Sequence, residues 1–139
     1  MIIIDATDLI LGRMATYAAK QAMLGNEIRI INAEKAVISG KKENTYEIYL
    51  TRRARGIPLK GPYIHRSPEK IVRRAIRGML PYKKPRGKEA YKRVLCYFGE
   101  PEEFEGKSIT LKEANRSKLP DLKYITIKDI SRRLGAKVE

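Results

Sequence analysis

Lys70, Arg73, Arg74 and Arg77 recur at spacings of three, four and seven, which stacks four cations on one side of a helix. Three of the four are arginines, whose forked guanidinium donors suit phosphate oxygens. The chemistry such a face can do is the electrostatic capture of a polyanion. Like charges at this spacing destabilise a helix by roughly 0.2–0.5 kcal/mol per pair, so a helix that needed only solubility would mix signs. The concentration extends further. Fifteen of the chain's 30 basic residues lie between Arg52 and Arg93, opposed only by Glu69 and Glu89, so this stretch carries +13 of the net +14. A solvated surface explains single charges, but not their collection in one segment whose flanks are balanced. Each phosphate neutralised by such a segment releases condensed counterions.

Two loops flank the helix. Gly56, Pro58, Gly61 and Pro62 punctuate the first around Lys60, and Pro81, Pro85 and Gly87 punctuate the second around Lys83, Lys84 and Arg86. Glycine admits close approach of backbone to phosphate, and proline limits the entropy lost on ordering. Tyr63, His65 and Tyr82 have flat rings suited to stacking on bases or ribose, or equally to packing against their own loops. Base contacts are therefore not assigned to them.

Other chemistries fit poorly. The turn after Ile4 has one glycine, Gly12, where a dinucleotide fingerprint needs three. Ser39-Gly40-Lys41 is not a phosphate loop, because Lys35 and Lys42 stand where glycine and Ser or Thr are required. Cys96 is the only cysteine and His65 the only histidine, which excludes a disulfide framework and a Cys/His metal cluster. Cys96 reads as a core residue, and Asp5 and Asp8 read better as helix caps than as a catalytic pair. No cofactor, metal or small-molecule substrate is expected. The enzymatic alternative is an RNA-processing or RNA-modifying α/β enzyme, with a pocket near strand ends lined by Asp5, Asp8 or Glu34. A DNA-compacting protein is a third reading, but the chain shows no dimer seam or groove-reading motif.

The elements that must position these residues are legible from periodicity. At 139 residues, 42% hydrophobic and 33% charged, the chain is long and apolar enough for one folded domain. Strands are expected at Ile2–Ile4, Glu27–Asn32, Val94–Phe98 and Tyr124–Ile127, with a short extended piece at Val37–Ile38. A helix capped by Thr7 or Asp8 runs to Leu24, with Leu11, Met14 or Ala15, Ala18 and Ala22 on its apolar stripe. The strand–helix–strand order predicts a βαβ unit and a parallel sheet. A second helix from Ser39-Gly40 to Arg53 turns Tyr46, Tyr49 and Leu50 inward. Ser67 to Leu80 is the clearest helix, with Ser67 as cap, Pro68 at its first position, and Val72, Ala75, Ile76, Met79 and Leu80 opposite the cations. Residues 82–87 read as a basic loop and Lys88–Arg93 as a short helix. The acidic run Glu100–Glu105 should face away from a polyanion. Residues 111–119 read as loop with some helical tendency, and Thr126 with Asp129 as a capping box for a last helix ending at Gly135. No apolar stretch approaches a signal peptide or membrane span, so a cytoplasmic protein without a membrane partner is expected.

Several of these segments also form a familiar series. Asp5-Ala6, Leu11-Gly12-Arg13-Met14-Ala15, Ile31-Asn32-Ala33-Glu34 and Ile38-Ser39-Gly40 resemble the start of the L13 family of large-subunit ribosomal proteins. Gly61 through Pro68, Arg77-Gly78-Met79-Leu80-Pro81 and Lys83 through Gly87 are similar to its archaeal and eukaryotic branch. The resemblance implies a three-layer α/β/α fold, with helices on both faces of a mainly parallel sheet and a basic loop–helix excursion. It also implies a ribosomal role: binding of large-subunit ribosomal RNA, support of subunit assembly, contact with neighbouring large-subunit ribosomal proteins, and no enzymatic activity. Arg66, Arg73, Arg74, Arg77, Lys83, Lys84 and Arg86 fall within matching motifs, while Arg52, Arg53 and Lys60 match less tightly. His65, Lys70 and Lys88 complete the expected RNA-binding set. Tyr82 stands where a histidine is common, and the chain ends at Glu139 without the long eukaryotic extension, as in archaeal members.

Overall fold

The computed structural model describes residues 1–137; Val138 and Glu139, where the chain's end falls, lie outside the described residues. In chain order the elements are β1 (Ile2–Asp5), α1 (Leu11–Met23), β2 (Ile28–Ile31), β3 (Val37–Ser39), α2 (Lys42–Ala54), α3 (Pro68–Arg77), α4 (Pro85–Lys92), β4 (Val94–Cys96), β5 (Tyr124–Thr126) and α5 (Ile127–Arg133). Strands β1, β2 and β4 form a parallel sheet in that spatial order, with Ile2 opposite Ile28 and Ile28 opposite Val94. Strands β3 and β5 form a separate antiparallel pair. The expected α/β class with a mainly parallel sheet is what is found.

Connection handedness decides where the helices lie. The steps β1–α1–β2 and β2–α2–α3–α4–β4 move one way across the sheet, so right-handed crossovers place these helices on one face. Ile4, Ile28, Ile30 and Val94 point into that side and are fully buried, in one cluster with Met14, Ala18, Val72, Ile76 and Ile130. The chain then returns to the free edge of β1, where the Ile109 amide donates to the Ile3 carbonyl at 2.8 Å and Asp5 N donates to Ile109 O at 2.9 Å. This return crosses the opposite face. Its helical layer is thin, a single 3-10 turn at Glu102–Phe104, whose buried Phe104 ring lies 5.6 Å from that of Tyr97. The acidic residues Glu100 to Glu105 thus sit across the sheet from α3.

Helix boundaries differ from expectation for identifiable reasons. Neither Thr7 nor Asp8 caps α1, whose preceding residue is Ile10 with no side-chain cap. Instead the Asp5 carboxylate accepts from the Thr7 amide (3.0 Å) and hydroxyl (2.7 Å) and from Asn32 Nδ2 (3.1 Å), closing the end of β1. Helix α2 starts at Lys42 because Ser39 is still paired in β3, opposite Tyr124. Leu50 of α2 stays 41% exposed, and Thr45 is its one buried residue, so this helix packs lightly. Helix α3 stops at Arg77. Leu80 is buried in the following turn, whereas Met79 points outward. Helix α4 begins at Pro85, three residues before the expected start, because proline suits a first helical position. Strand β4 ends at Cys96, two residues short of Phe98. Half of the expected capping box forms at α5: the Thr126 hydroxyl accepts from the Asp129 amide at 3.2 Å.

One contact fixes α4 against the turn before it. A Cβ at Gly87 would lie 1.9 Å from the Pro81 carbonyl oxygen, so no other residue fits without moving the backbone. Gly87→Ala is therefore expected to cost roughly 1–3 kcal/mol, as overpacking does, read as a lowered urea midpoint. Asp5 gives a pH signature. Burial raises its pKa, but the bonds from Thr7 and Asn32 and the charge of Lys35 outweigh that and hold it below 3.8. Its contribution is present above that value and lost as pH falls through the lower folded value. Thermal melts between about pH 5 and pH 2 should accordingly show a shallower acid decline for Asp5→Asn than for the natural chain.

Candidate nucleic-acid interface

The basic segment folds as a helical hairpin, α3–turn–α4, preceded by the arm formed by α2 and residues 55–66. Helix α3 is placed by its apolar stripe: Ile71, Val72 and Ile76 are at most 5% exposed. Each such burial stabilises the docking by about 1.5–3 kcal/mol, enough to set which way the other side points. Four cations do lie on that other side, but they do not behave alike. Lys70 and Arg74 are exposed. Arg73 turns back onto the body, where its Nε donates to the Val94 carbonyl at 2.8 Å, its Nη2 to the Tyr91 carbonyl at 3.3 Å, and its guanidinium covers the Tyr91 ring at 4.0 Å. Arg77 stacks over the Tyr82 ring at 4.2 Å and is half-buried. The expected four-cation face is thus two free cations flanked by two arginines that hold α3 and its following turn to the body.

Lys83, Lys84, Arg86 and Lys88 are all exposed on the turn and α4. Among the described residues the ion pairs are Arg29–Glu27 and Arg116–Asp8, and neither involves the segment from Arg52 to Arg93. Its charge is left unneutralised by the chain itself. Cys96 lies beneath Arg73, and burial pushes its thiol up to about 12 despite that guanidinium. It is a core residue rather than a nucleophile.

The other arm is tied down at the far end. Arg53 donates to the Leu134 carbonyl, and the Arg66 guanidinium also approaches Gly135, where a Cβ would meet its Nη1 at 3.4 Å. Both therefore converge on the negative, C-terminal end of α5. Arg52 covers the Tyr49 ring at 5.5 Å. Residues 57–61 form a tight turn of their own, with Gly61 N donating to Ile57 O at 2.8 Å, and the Tyr63 hydroxyl donates to Pro58 O at 2.7 Å. Lys60 and His65 are exposed on this arm. The long loop expected here is thus internally bonded.

The sequence reading did not find the groove that α2 and α3 enclose with residues 63–65. Its walls include Tyr49, Ile71 and Ala75, which are far apart in sequence and carry no shared motif. The carboxylates proposed for catalysis are otherwise engaged. Asp5 closes its turn, Asp8 faces Arg116 at 3.5 Å, and the buried Glu34 accepts from the Gly99 amide at 3.1 Å. Among the described residues no three His, Cys, Asp or Glu side chains are grouped to hold a metal, and no helix is long and apolar enough to cross a membrane.

An α/β body with one unneutralised cationic face, and with Asp5, Asp8 and Glu34 spent on structure, has the form of a polyanion-binding protein. Comparison with known proteins makes this specific. A family described as Ribosomal protein L13 matches residues 1–103. The large ribosomal subunit protein uL13 of Methanococcoides burtonii is 46% identical over 138 residues, covering 99% of both chains. That of Methanosarcina barkeri is 45% identical over 139 residues, again with 99% of each chain covered, and that of Methanopyrus kandleri is 44% identical over 136 residues, covering 96% of this chain and 86% of its own. The chain belongs to the ribosomal protein L13 family, a family of ribosomal structural proteins rather than enzymes.

The division of labour among the arginines has a direct test. Arg73→Ala removes the bonds to the Val94 and Tyr91 carbonyls, of which Tyr91 keeps a backbone partner at the end of α4, and uncovers the Tyr91 ring; it is expected to cost about 1–3 kcal/mol. Arg74→Ala should stay within about 0.5 kcal/mol of the natural chain. Equal urea midpoints for the two variants would contradict the assignment.

Proposed function

We propose that the protein binds large-subunit ribosomal RNA along the hairpin α3–turn–α4, with Lys70, Arg74, Lys83, Lys84, Arg86 and Lys88 meeting phosphates. As a member of its family it is a structural constituent of the large ribosomal subunit and not an enzyme. One observation carries the RNA reading: these cations are exposed, without carboxylate partners, on a hairpin whose apolar side is fixed in the core. Arg77, Arg73, Arg66 and Arg53 support the surface by holding its elements, and Arg52, Lys60 and His65 extend it along the α2 arm. In this reading the chain is one domain, with the segment 52–93 as its RNA-binding part, working in the cytoplasm within the subunit. There it would support assembly beside neighbouring large-subunit proteins. The acidic 100–105 surface, across the sheet, would stay clear of phosphate.

Binding to a large-subunit RNA fragment across a salt series tests this. Six phosphate contacts predict a log–log slope of roughly −4 to −5. Changing Arg74, Lys84 and Arg86 to alanine together should flatten it by about two to three. A slope near zero, or one indifferent to the triple change, would show that the face is wrongly assigned.

A further inference from the structure

The groove between α2, residues 63–65 and α3 differs in kind from the phosphate-facing hairpin. It measures about 330 Å³, near the lower end of the roughly 300–1,000 Å³ usual for small-molecule sites. That is room for one nucleoside and far too little for a duplex. Its floor is apolar and smooth, from Ile71 and Ala75 of α3 and Gly78 just after it. Aromatic rings stand on its sides: Tyr49, with the Arg52 guanidinium over it, and Tyr63, which is 69% exposed. Ile64, His65, Lys70 and Arg74 complete the lining, which contains no carboxylate.

Duplex RNA presents phosphates and 2′-hydroxyls to a protein, and exposed cations suffice to meet them. A floor of small apolar groups between rings serves a different purpose. It fits the face of a base that has left its stack, while flanking cations hold the phosphates on either side. An acidic peptide would use the cations but leave the rings and apolar floor without a counterpart. We propose that this groove receives a single unpaired nucleotide of the bound RNA, its base against the exposed ring of Tyr63 and its phosphates on Lys70 and Arg74. This rests on the RNA-binding reading above and adds to it a site for one extruded nucleotide.

The test uses the full chain and five RNAs: one hairpin duplex, and four derivatives each carrying a different single-nucleotide bulge. The natural chain should bind at least one bulged hairpin roughly ten-fold more tightly than the parent, as expected for one base stacked on an aromatic ring. Ala75→Leu, which fills the floor without changing charge, should remove that preference and leave parent-duplex affinity and its salt slope unchanged. Tyr63→Ala, at an exposed ring, is a second variant expected to do the same, with thermal melts checking that both fold. No preference for any bulge, or a preference that both folded variants retain, would overturn the inference while leaving the phosphate-binding reading intact. Failure to bind any of the five RNAs would overturn both. Binding of an octaglutamate peptide that Ala75→Leu weakens, with no bulge preference, would give the groove to an acidic protein partner instead.

Discussion

The burial of one stripe of α3 is the constraint on which the rest depends. Ile71, Val72 and Ile76 enter the same core as Ile4, Met14 and Ile130, so the helix has one docked orientation. Its cations then point where the sheet and α1 dictate. Without that docking, like charges at helical spacing would oppose the helix itself. With it, the repulsion is tolerated because apolar burial is several times larger than the pairwise cost. Arg73 reinforces the arrangement by holding α3 to the carbonyls of Tyr91 and Val94, and Gly87 lets α4 close against Pro81. The outcome is a rigid hairpin that presents charge at a fixed angle.

Charge is segregated along the chain and then again in space. The return crossover that adds Ile109 to the edge of β1 carries the acidic residues to the opposite face of the sheet. A polyanion approaching the hairpin therefore meets a large excess of cations, with Glu69 and Glu89 as the carboxylates of the two helices. The basic segment is also divided within itself. Arg53 and Arg66 serve the C-terminal end of α5, and Arg73 and Arg77 cover rings, which leaves the exposed lysines with Arg52, Arg55, Arg74 and Arg86 for a partner.

Much of this was legible in the sequence, because it rests on periodicity. The β-branched run at Ile2–Ile4, the alanine stripe of α1, and the two faces of α3 all follow from spacing alone. What stayed hidden depends on distant partners. Arg73 reads the same as Arg74 until the Val94 carbonyl is placed beside it. Thr7 and Asp8 carry cap chemistry, but Asp5 and Arg116 claim them. Ile109 makes a single bridge and so leaves no strand pattern. The start of α4 was masked by its lysines, which look like loop, although Pro85 marked it. The groove needs Tyr49 and Ala75 side by side, and no local signal states that. The family's motifs named a ribosomal role, but not which arginines are free.

The central claim is that the α3–α4 hairpin is the surface that RNA covers. Lysine acetylation footprinting of the protein, free and bound to large-subunit ribosomal RNA, tests it most directly. Lys83, Lys84 and Lys88 should be protected together with Lys70, while the exposed Lys112 and Lys118 near the opposite edge of the chain's fold react as in the free protein. Protection of Lys112 and Lys118 with the hairpin lysines still reactive would contradict the account.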